Sequence, residues 1–92
     1  MSEDLNKVEV FILDERYVLK GNEPAEYMEM VALQVNKRLQ QVQNMNPRLS
    51  TVQTAILTSI NILDELLKLR NEYQGLLDLL EESGEKNSKV KK

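Results

Sequence analysis

The 92-residue sequence contains no cysteine, no histidine and no tryptophan. Without cysteine, neither a disulfide framework nor a thiolate zinc site is available, which fits a reducing compartment. Without histidine, the usual general base near pH 7 and the commonest metal ligand are both missing. We therefore expect a protein that is not an enzyme and that uses neither a metal ion nor a cofactor.

Long apolar runs are also missing. No stretch approaches the roughly 18 consecutive apolar residues of a membrane-spanning helix, and the N-terminus is acidic where an export signal is basic. These features predict a soluble, cytoplasmic protein with no membrane partner. Because 41% of a short chain is apolar and only one residue is phenylalanine, a single domain buries a modest core. We expect it to gain stability by self-assembly.

The charges are unevenly distributed, although the formal net charge is only −3. Residues 1–49 carry six Lys/Arg against eight Asp/Glu, residues 50–82 carry two against six, and residues 83–92 carry four against one. A mostly acidic chain lacks the cluster of cations that neutralises phosphates in a nucleic-acid complex. We therefore expect no nucleic-acid partner, and we interpret the basic, aperiodic residues 83–92 as a disordered tail.

Two short runs rich in β-branched and apolar residues, 7–13 and 16–20, predict a β-hairpin at about 7–20. The two residues between the runs suit a tight turn, although glycine or asparagine is more usual there. Alternation places apolar side chains on both faces of the first strand, with Val10 on one face and Phe11 on the other. We expect one face to cover the following helix and the other to contact a second subunit.

A polar cap and a proline mark the start of the next helix. Asn22 is the predicted N-cap, Pro24 is tolerated in the first turn, and apolar residues then recur at spacings of three and four. Pro47 ends this pattern, because the residue before a proline is pushed out of the helical region. The sequence predicts an amphipathic helix at about 23–45, which completes a ββα head at 1–49. Its apolar positions are Tyr27, Met28, Val31, Val35, Leu39 and Val42.

A second helix is predicted over residues 50–82, and it begins with a capping box. In this motif the Ser50 hydroxyl and the Gln53 side chain satisfy free backbone N–H groups reciprocally. A helix of this length spans about 50 Å, which is more than the shorter first helix can cover. We therefore expect other chains to cover the remainder.

The apolar stripe of the second helix is wider than the seam of a two-stranded coiled coil. With Ile56 at heptad position a, most a and d positions are apolar or aromatic, and further apolar residues occupy e and g. Such width is typical of four-helix packing, so we predict an α+β protein whose coiled-coil helix assembles into a multi-helix bundle. Arg70, at an a position, is either a rim cation or a residue that fixes the register. The predicted oligomerisation residues are Ile56, Ile60, Leu63, Leu66, Leu67, Arg70, Tyr73, Leu77 and Leu80.

Three short motifs stand in a fixed order along these elements. They are Asn-Lys-Arg-Leu at 36–39, Asn-Pro-Arg-Leu at 46–49 and Ser-Ile-Asn-Ile at 59–62. Together with the hairpin and the long helix, they resemble the bacterial cell-division ZapA family over residues 7 to about 75. The hairpin turn departs from that family, which often has glycine where this chain has Asp14.

The resemblance implies an assembly and a partner. ZapA-like proteins form dimers that join into tetramers through their C-terminal helices, and their heads bind FtsZ filaments and cross-link them at the division ring. The family's docking surface is a charged part of the head, and Arg38 falls on the matching Asn-x-Arg motif. Arg16, Lys37 and Arg48 are further candidates, as cations of the same head. For all four the alternative is ordinary solvated charge.

Three other classes of protein fit parts of the pattern. A ribbon-helix-helix DNA-binding protein would have one strand, shorter helices and a basic strand face. A carboxylate-based enzyme would need a pocket, whereas the acidic residues of the second helix lie on its outer face. A generic coiled-coil scaffold or chaperone-like adaptor with another partner shares every physical feature except the family motifs. The scaffold is therefore the principal alternative.

Overall fold

The computed structural model describes the backbone of residues 5–91 and the side chains of residues 5–82. Two antiparallel strands are followed by two helices, the second of which is long. This order confirms the predicted α+β class, with a ββα head and a long C-terminal helix. The elements are β1 (Asn6–Ile12), β2 (Glu15–Gly21), α1 (Ala25–Met45) and α2 (Thr51–Lys91).

The hairpin turn lies one residue earlier than the sequence predicted. Ile12 pairs with Glu15, which makes Leu13 and Asp14 the two turn residues. Their φ angles are positive, 51° and 68°, as a type I′ turn requires. This turn type matches the right-handed twist of the strands, and the match outweighs the strain of a leucine at positive φ. Leu13 is therefore a turn residue and not the end of the first strand.

The core of the head forms between β1 and α1. Val8 and Val10, on the inner face of β1, cluster with Met28 and Ala32 of α1, and all four are buried. Val31, which the sequence placed on the core face, is instead exposed. Ala32, one residue further along α1, takes the place in the buried cluster that the sequence analysis assigned to Val31.

α1 begins at Ala25. Its N-cap is Pro24, whereas the sequence analysis predicted Asn22. Pro24 holds the cap position in an extended conformation, with φ −58° and ψ 145°, and no side chain caps the helix. The Pro24 carbonyl accepts the first helical hydrogen bond, from the Met28 N–H at 3.1 Å. Proline is well suited to this place because its fixed φ fits a helix start and it has no N–H to leave unpaired.

The connection between the helices follows the predicted signals. α1 ends at Met45, as expected, and Asn46 is extended before Pro47, with φ −136°. The capping box is confirmed, since the Ser50 N–H donates to Gln53 Oε1 at 3.0 Å and the Gln53 N–H donates to Ser50 Oγ at 3.1 Å. These reciprocal bonds fix the start of α2 at Thr51.

α2 continues to Lys91, beyond the predicted end at residue 82. The tail that the sequence suggested to be disordered, 83–92, therefore has a helical backbone as far as Lys91, and residue 92 lies outside the described residues. These residues lack an apolar face, which was the basis of the prediction. Backbone hydrogen bonds within a helix do not require such a face, and glutamate and lysine are good helix formers.

The chain divides into two compact units, Met1–Thr58 and Ser59–Lys92. The first unit contains the hairpin, α1 and the first turns of α2. The second consists of the rest of α2. The division thus falls inside a helix, and the first turns of α2 belong structurally to the head.

Candidate functional site

The candidate assembly surface is the apolar stripe of α2. Its side chains are largely exposed in the single chain, from 47% in Leu67 to 69% in Leu80. Leu77 is partly buried and Arg70 is exposed. Leu79 is 61% exposed but lies outside the predicted stripe, at heptad position c. The exposed members of the predicted set are Ile56, Ile60, Leu63, Leu66, Leu67, Arg70, Tyr73 and Leu80.

Polar pairs occupy other positions of α2, away from the a and d seam. The Lys68 ammonium bonds the Asp64 carboxylate at 3.0 Å, and Gln74 donates to Asp78 at 3.1 Å, each pair one turn apart. The hydrogen bond from Lys68 to Asp64, followed by the negative charges of Asp64 and Glu65, raises the pKa of Lys68. Because folding raises the pKa of Lys68, the pair's small contribution to stability is fully present below the pKa that Lys68 has in the unfolded chain. It is lost as pH rises through the pKa that Lys68 has in the folded chain. Asp64, Lys68 and Asp78 lie at outer heptad positions, whereas Gln74 lies at position e, beside the seam.

Two threonines in the first turns of α2 are buried, which the sequence reading missed. Thr54 is 0% exposed and Thr58 is 3% exposed, and neither hydroxyl has a hydrogen-bond partner among the described residues. Their spacing of four residues puts them on one face of the helix. That spacing could have indicated a shared buried face, but their polarity argued against it. They extend the buried surface of the head into α2.

The four candidate cations for partner binding lie on three different elements. Arg16 projects from the outer face of the sheet, where it forms an ion pair with Glu9. Lys37 is exposed and Arg38 is partly buried, and both belong to α1, which packs on the inner face of the sheet. Arg48 is exposed in the connection between the helices. The sheet thus separates Arg16 from the two cations of α1, so these three do not form one cluster.

A hydrogen bond ties the hairpin turn to α1. The Leu13 N–H donates to Asn36 Oδ1 at 2.7 Å in a partly buried position. Asn36 opens the Asn-Lys-Arg-Leu motif that includes Lys37 and Arg38. The first residue of the motif therefore has a structural role, and the charged residues that follow it are held at a fixed place on the head.

An apolar groove of about 660 Å³ is open on the head. It lies where α1, which packs mainly over β1, leaves the inner face of β2 only partly covered. Its titratable lining groups are Glu15 and Tyr17, both exposed, and most of the lining is apolar. Such a surface suits apolar side chains of another chain. The lining residues are Ile12, Leu13, Glu15, Tyr17, Leu19, Val35, Leu39, Gln43, Thr51 and Ala55.

Among the described residues, no group of three or more Asp and Glu side chains is placed to hold a metal ion. No helix in the described residues combines the length and the apolar character needed to cross a membrane.

Comparison with known proteins agrees on one family. The family model described as cell division protein ZapA matches residues 8–92. Cell division protein ZapA of Oceanobacillus iheyensis is 32% identical over 75 residues, covering 82% of this chain and 87% of the relative. The Halalkalibacterium halodurans protein of the same name is 35% identical over 80 residues, covering 86% and 87%.

A solved structure shows the same fold. It is described as a ZapA mutant dimer from Geobacillus stearothermophilus, and it shares 32% sequence identity with this chain at a TM-score of 0.68. The match covers 88% of this chain and 95% of that structure. The chain therefore belongs to the cell division protein ZapA family.

Proposed function

We propose that this protein is a non-enzymatic cell-division factor that assembles through α2 into a homotetramer and cross-links FtsZ filaments at the division ring in the cytoplasm. The observation that carries the proposal is the exposed apolar stripe of α2. Large apolar patches left open to solvent are rare on soluble monomers and mark interaction surfaces. The stripe supports self-assembly, and membership of the ZapA family supports the role in division.

The width of the stripe favours a bundle over a simple pair of helices. Leu63 and Leu66 hold the a and d positions, while Leu67 at e is exposed to a similar degree, near 50%. A two-stranded coiled coil buries mainly a and d, whereas four-helix packing also buries the flanking positions. A tetramer built from two dimers would supply the four helices that bury these flanking positions.

Bridging follows from an assembly that carries several heads. Each head contributes one weak contact, and two heads engaged at once gain affinity through their high effective concentration. Heads bound to different filaments hold those filaments together. Arg38 is the proposed centre of the docking surface, with Lys37 and Arg48 as further contacts. Arg16, on the outer face of the sheet, would make a separate contact.

The experiment combines mass measurement with filament binding. Size-exclusion chromatography with light scattering, over a concentration series, is expected to give a tetramer mass at micromolar concentration. Co-sedimentation with polymerised FtsZ is expected to bring the protein into the pellet, and right-angle light scattering is expected to rise as filaments bundle. Unpolymerised FtsZ is the control for the pellet.

Two results would count against the proposal in different ways. If the tetramer forms but never co-sediments with FtsZ, the filament-binding role is wrong and the alternative, a coiled-coil scaffold with another partner, is favoured. A monomer at all concentrations would show that the stripe does not serve self-assembly, whatever the filament assay gives.

A further inference from the structure

The apolar stripe of α2 carries one charge. Between residues 55 and 80, Arg70 is the only charged residue at heptad position a, d, e or g. Assembly through the stripe therefore brings a guanidinium group to the interface without bringing a carboxylate with it. The acidic residues of this segment lie outside the stripe, at positions b and c, and they are Asp64, Glu65, Glu72 and Asp78.

Arg70 has no acidic partner on its own helix. The residues one turn away from it are Leu66, Leu67, Tyr73 and Gln74. Arg70 is exposed in the single chain, and it forms no ion pair with another described residue. A guanidinium group stays protonated in proteins, so it cannot escape the cost of burial by losing its charge. An assembly that buries Arg70 therefore has to supply an anion.

A groove of about 350 Å³ beside Arg70 is lined by hydrogen-bond donors. The guanidinium group has five N–H donors, Tyr73 has a hydroxyl, and Gln74 has a side-chain amide that also donates to Asp78 at 3.1 Å. Tyr73 is 63% exposed, and no carboxylate lines the groove. A cation with neutral donors beside it on an apolar surface suits an oxyanion. The lining residues are Leu69, Arg70, Tyr73 and Gln74.

Arg70 lies near the middle of the stripe, so arginines from paired chains approach each other. The stripe runs from Ile56 to Leu80, and its midpoint is residue 68. Parallel helices in register place their arginines in the same layer. Antiparallel helices with fully overlapping stripes place Arg70 opposite Leu66 of the other chain, which separates the two arginines by about 6 Å along the axis. Either orientation brings two guanidinium groups within reach of one small anion.

We propose that the assembled α2 helices bind an inorganic oxyanion of the phosphate class between the Arg70 side chains of two chains, with Tyr73 and Gln74 as neutral donors. The planar guanidinium group matches two oxygens of such an anion, which a point charge does not. The anion takes the place of the missing carboxylate, so it binds the assembled form and not the separate chains. This inference rests on the proposed assembly through α2 and makes that assembly dependent on an anion.

Two other arrangements of Arg70 are disfavoured by its heptad position. Position a lies in the middle of the stripe, with the apolar e position on one side and the d and g positions on the other, so the path to water at the rim is long. A carboxylate at position c, such as Glu65 of a neighbouring chain, is separated from the seam by the d and g rows. A small free anion has neither restriction.

The test compares assembly of the full-length protein in sodium chloride and in inorganic phosphate at equal ionic strength. Isothermal titration calorimetry is expected to show saturable binding of phosphate to the assembled protein, with one anion for every two chains. Light scattering over a protein concentration series gives the concentration at which the assembly dissociates. Phosphate at about ten times its dissociation constant is expected to lower that concentration by about tenfold or more, because it binds only the assembled form.

Two variants locate the anion. Arg70→Leu puts an apolar side chain in the stripe, so it is expected to assemble at least as well as the parent in chloride and to lose the response to phosphate. Lys68→Gln is the matched control, because Lys68 is a nearby cation that does not line the groove, and it is expected to keep the full response. Phosphate strengthens apolar burial in any protein, so an equal response in the parent and in Arg70→Leu would overturn the proposal. Equal losses in the two variants would also overturn it.

The remaining outcomes separate the anion site from the proposed function. If the assembly has the same dissociation concentration in both salts and calorimetry shows no binding, the anion site is wrong and assembly through α2 stands. If Glu65→Gln abolishes assembly in both salts, Arg70 pairs with a carboxylate of a neighbouring chain, and the anion site is again wrong. A monomer in both salts at every concentration would overturn the proposed assembly and the anion site together.

Discussion

The side-chain oxygen of Asn36 accepts a hydrogen bond from the backbone N–H of Leu13 at 2.7 Å. Leu13 has a φ of 51°, a conformation that costs a non-glycine residue about 1–2 kcal/mol. The bond satisfies a partly buried N–H at the place where the backbone is strained. It thus supports a tight turn in a sequence that has neither glycine nor asparagine at the turn positions.

The first prediction concerns this bond. Asn36→Ala is expected to destabilise the head by about 1–3 kcal/mol, because a partly buried N–H loses its partner. The measured loss understates the contribution of the hydrogen bond, because alanine is the better helix former and its higher helix propensity offsets part of the loss. Asn36→Asp keeps an acceptor of the same shape and is expected to retain most of the stability. Urea unfolding followed by circular dichroism provides the measurement, and equal losses in both variants would show that the hydrogen bond is unimportant.

A second prediction follows from the buried threonines. Thr54→Val replaces a buried hydroxyl that has no partner among the described residues with a methyl group of similar shape. Because an unsatisfied buried polar group costs about 1–3 kcal/mol, the variant is expected to unfold at a higher temperature than the parent. Thr51→Val, at the exposed first residue of α2, is the control and is expected to change little. A less stable Thr54→Val protein would show that the hydroxyl is bonded in the assembled protein.

The sequence predicted the order of elements well because local signals determine it. Alternation marked the strands, Pro47 ended α1, and the Ser50 and Gln53 capping box fixed the start of α2. The misplaced turn has a tertiary cause, since the acceptor that supports Leu13 lies on α1, far along the chain. No local pattern around Leu13 reveals that bond.

The candidate site was predicted less completely than the fold. The α2 stripe could be predicted because heptad spacing depends on sequence alone, and all of its predicted members except Leu77 are exposed in the single chain. The arrangement of the cations was not visible, because it depends on which face of the sheet α1 covers. That packing places Arg16 on the opposite side of the sheet from Lys37 and Arg38. The sequence did not reveal the role of Asn36 either, because that role depends on how the hairpin turn packs against α1.

The third prediction concerns the glycine of α2. A Cβ added at Gly75 meets nothing within 4 Å in the single chain, and the residue lies at an outer heptad position. Gly75→Ala is therefore expected to stabilise α2 by about 1 kcal/mol per chain through helix propensity alone. Thermal unfolding at matched protein concentration checks this, with mass measured in parallel. A lower melting temperature or an altered mass would show that this position contacts a neighbouring chain.

A fourth prediction tests the assembly surface. Leu66→Glu places a carboxylate in the centre of the proposed bundle, and an unpaired buried charge costs about 3–5 kcal/mol per subunit. The variant is expected to run as dimers or monomers at micromolar concentration. Leu79→Glu makes the same exchange at position c, outside the stripe, and is expected to remain tetrameric. If Leu66→Glu stays tetrameric in light-scattering measurements, the heptad register is wrong.

The fifth prediction separates the role of the head from that of α2 by reversing one charge. Arg38→Glu is expected to weaken binding to FtsZ filaments, because the change removes an attraction and adds a repulsion. Since Arg38 is partly buried on α1, circular dichroism and mass must first show that the variant keeps its helices and its tetramer. Arg38→Lys retains the charge without the planar guanidinium and is expected to bind with an intermediate affinity.

Bundling is expected to fall more steeply than binding in the Arg38→Glu protein. A bridge needs at least two heads engaged at once, so a weaker contact reduces both of its ends. Co-sedimentation reports the binding and light scattering reports the bundling, each with polymerised FtsZ. Added salt is expected to imitate the variant in the parent protein, because screening weakens an exposed charge contact. A folded Arg38→Glu tetramer that bundles filaments as well as the parent would remove Arg38 from the docking surface.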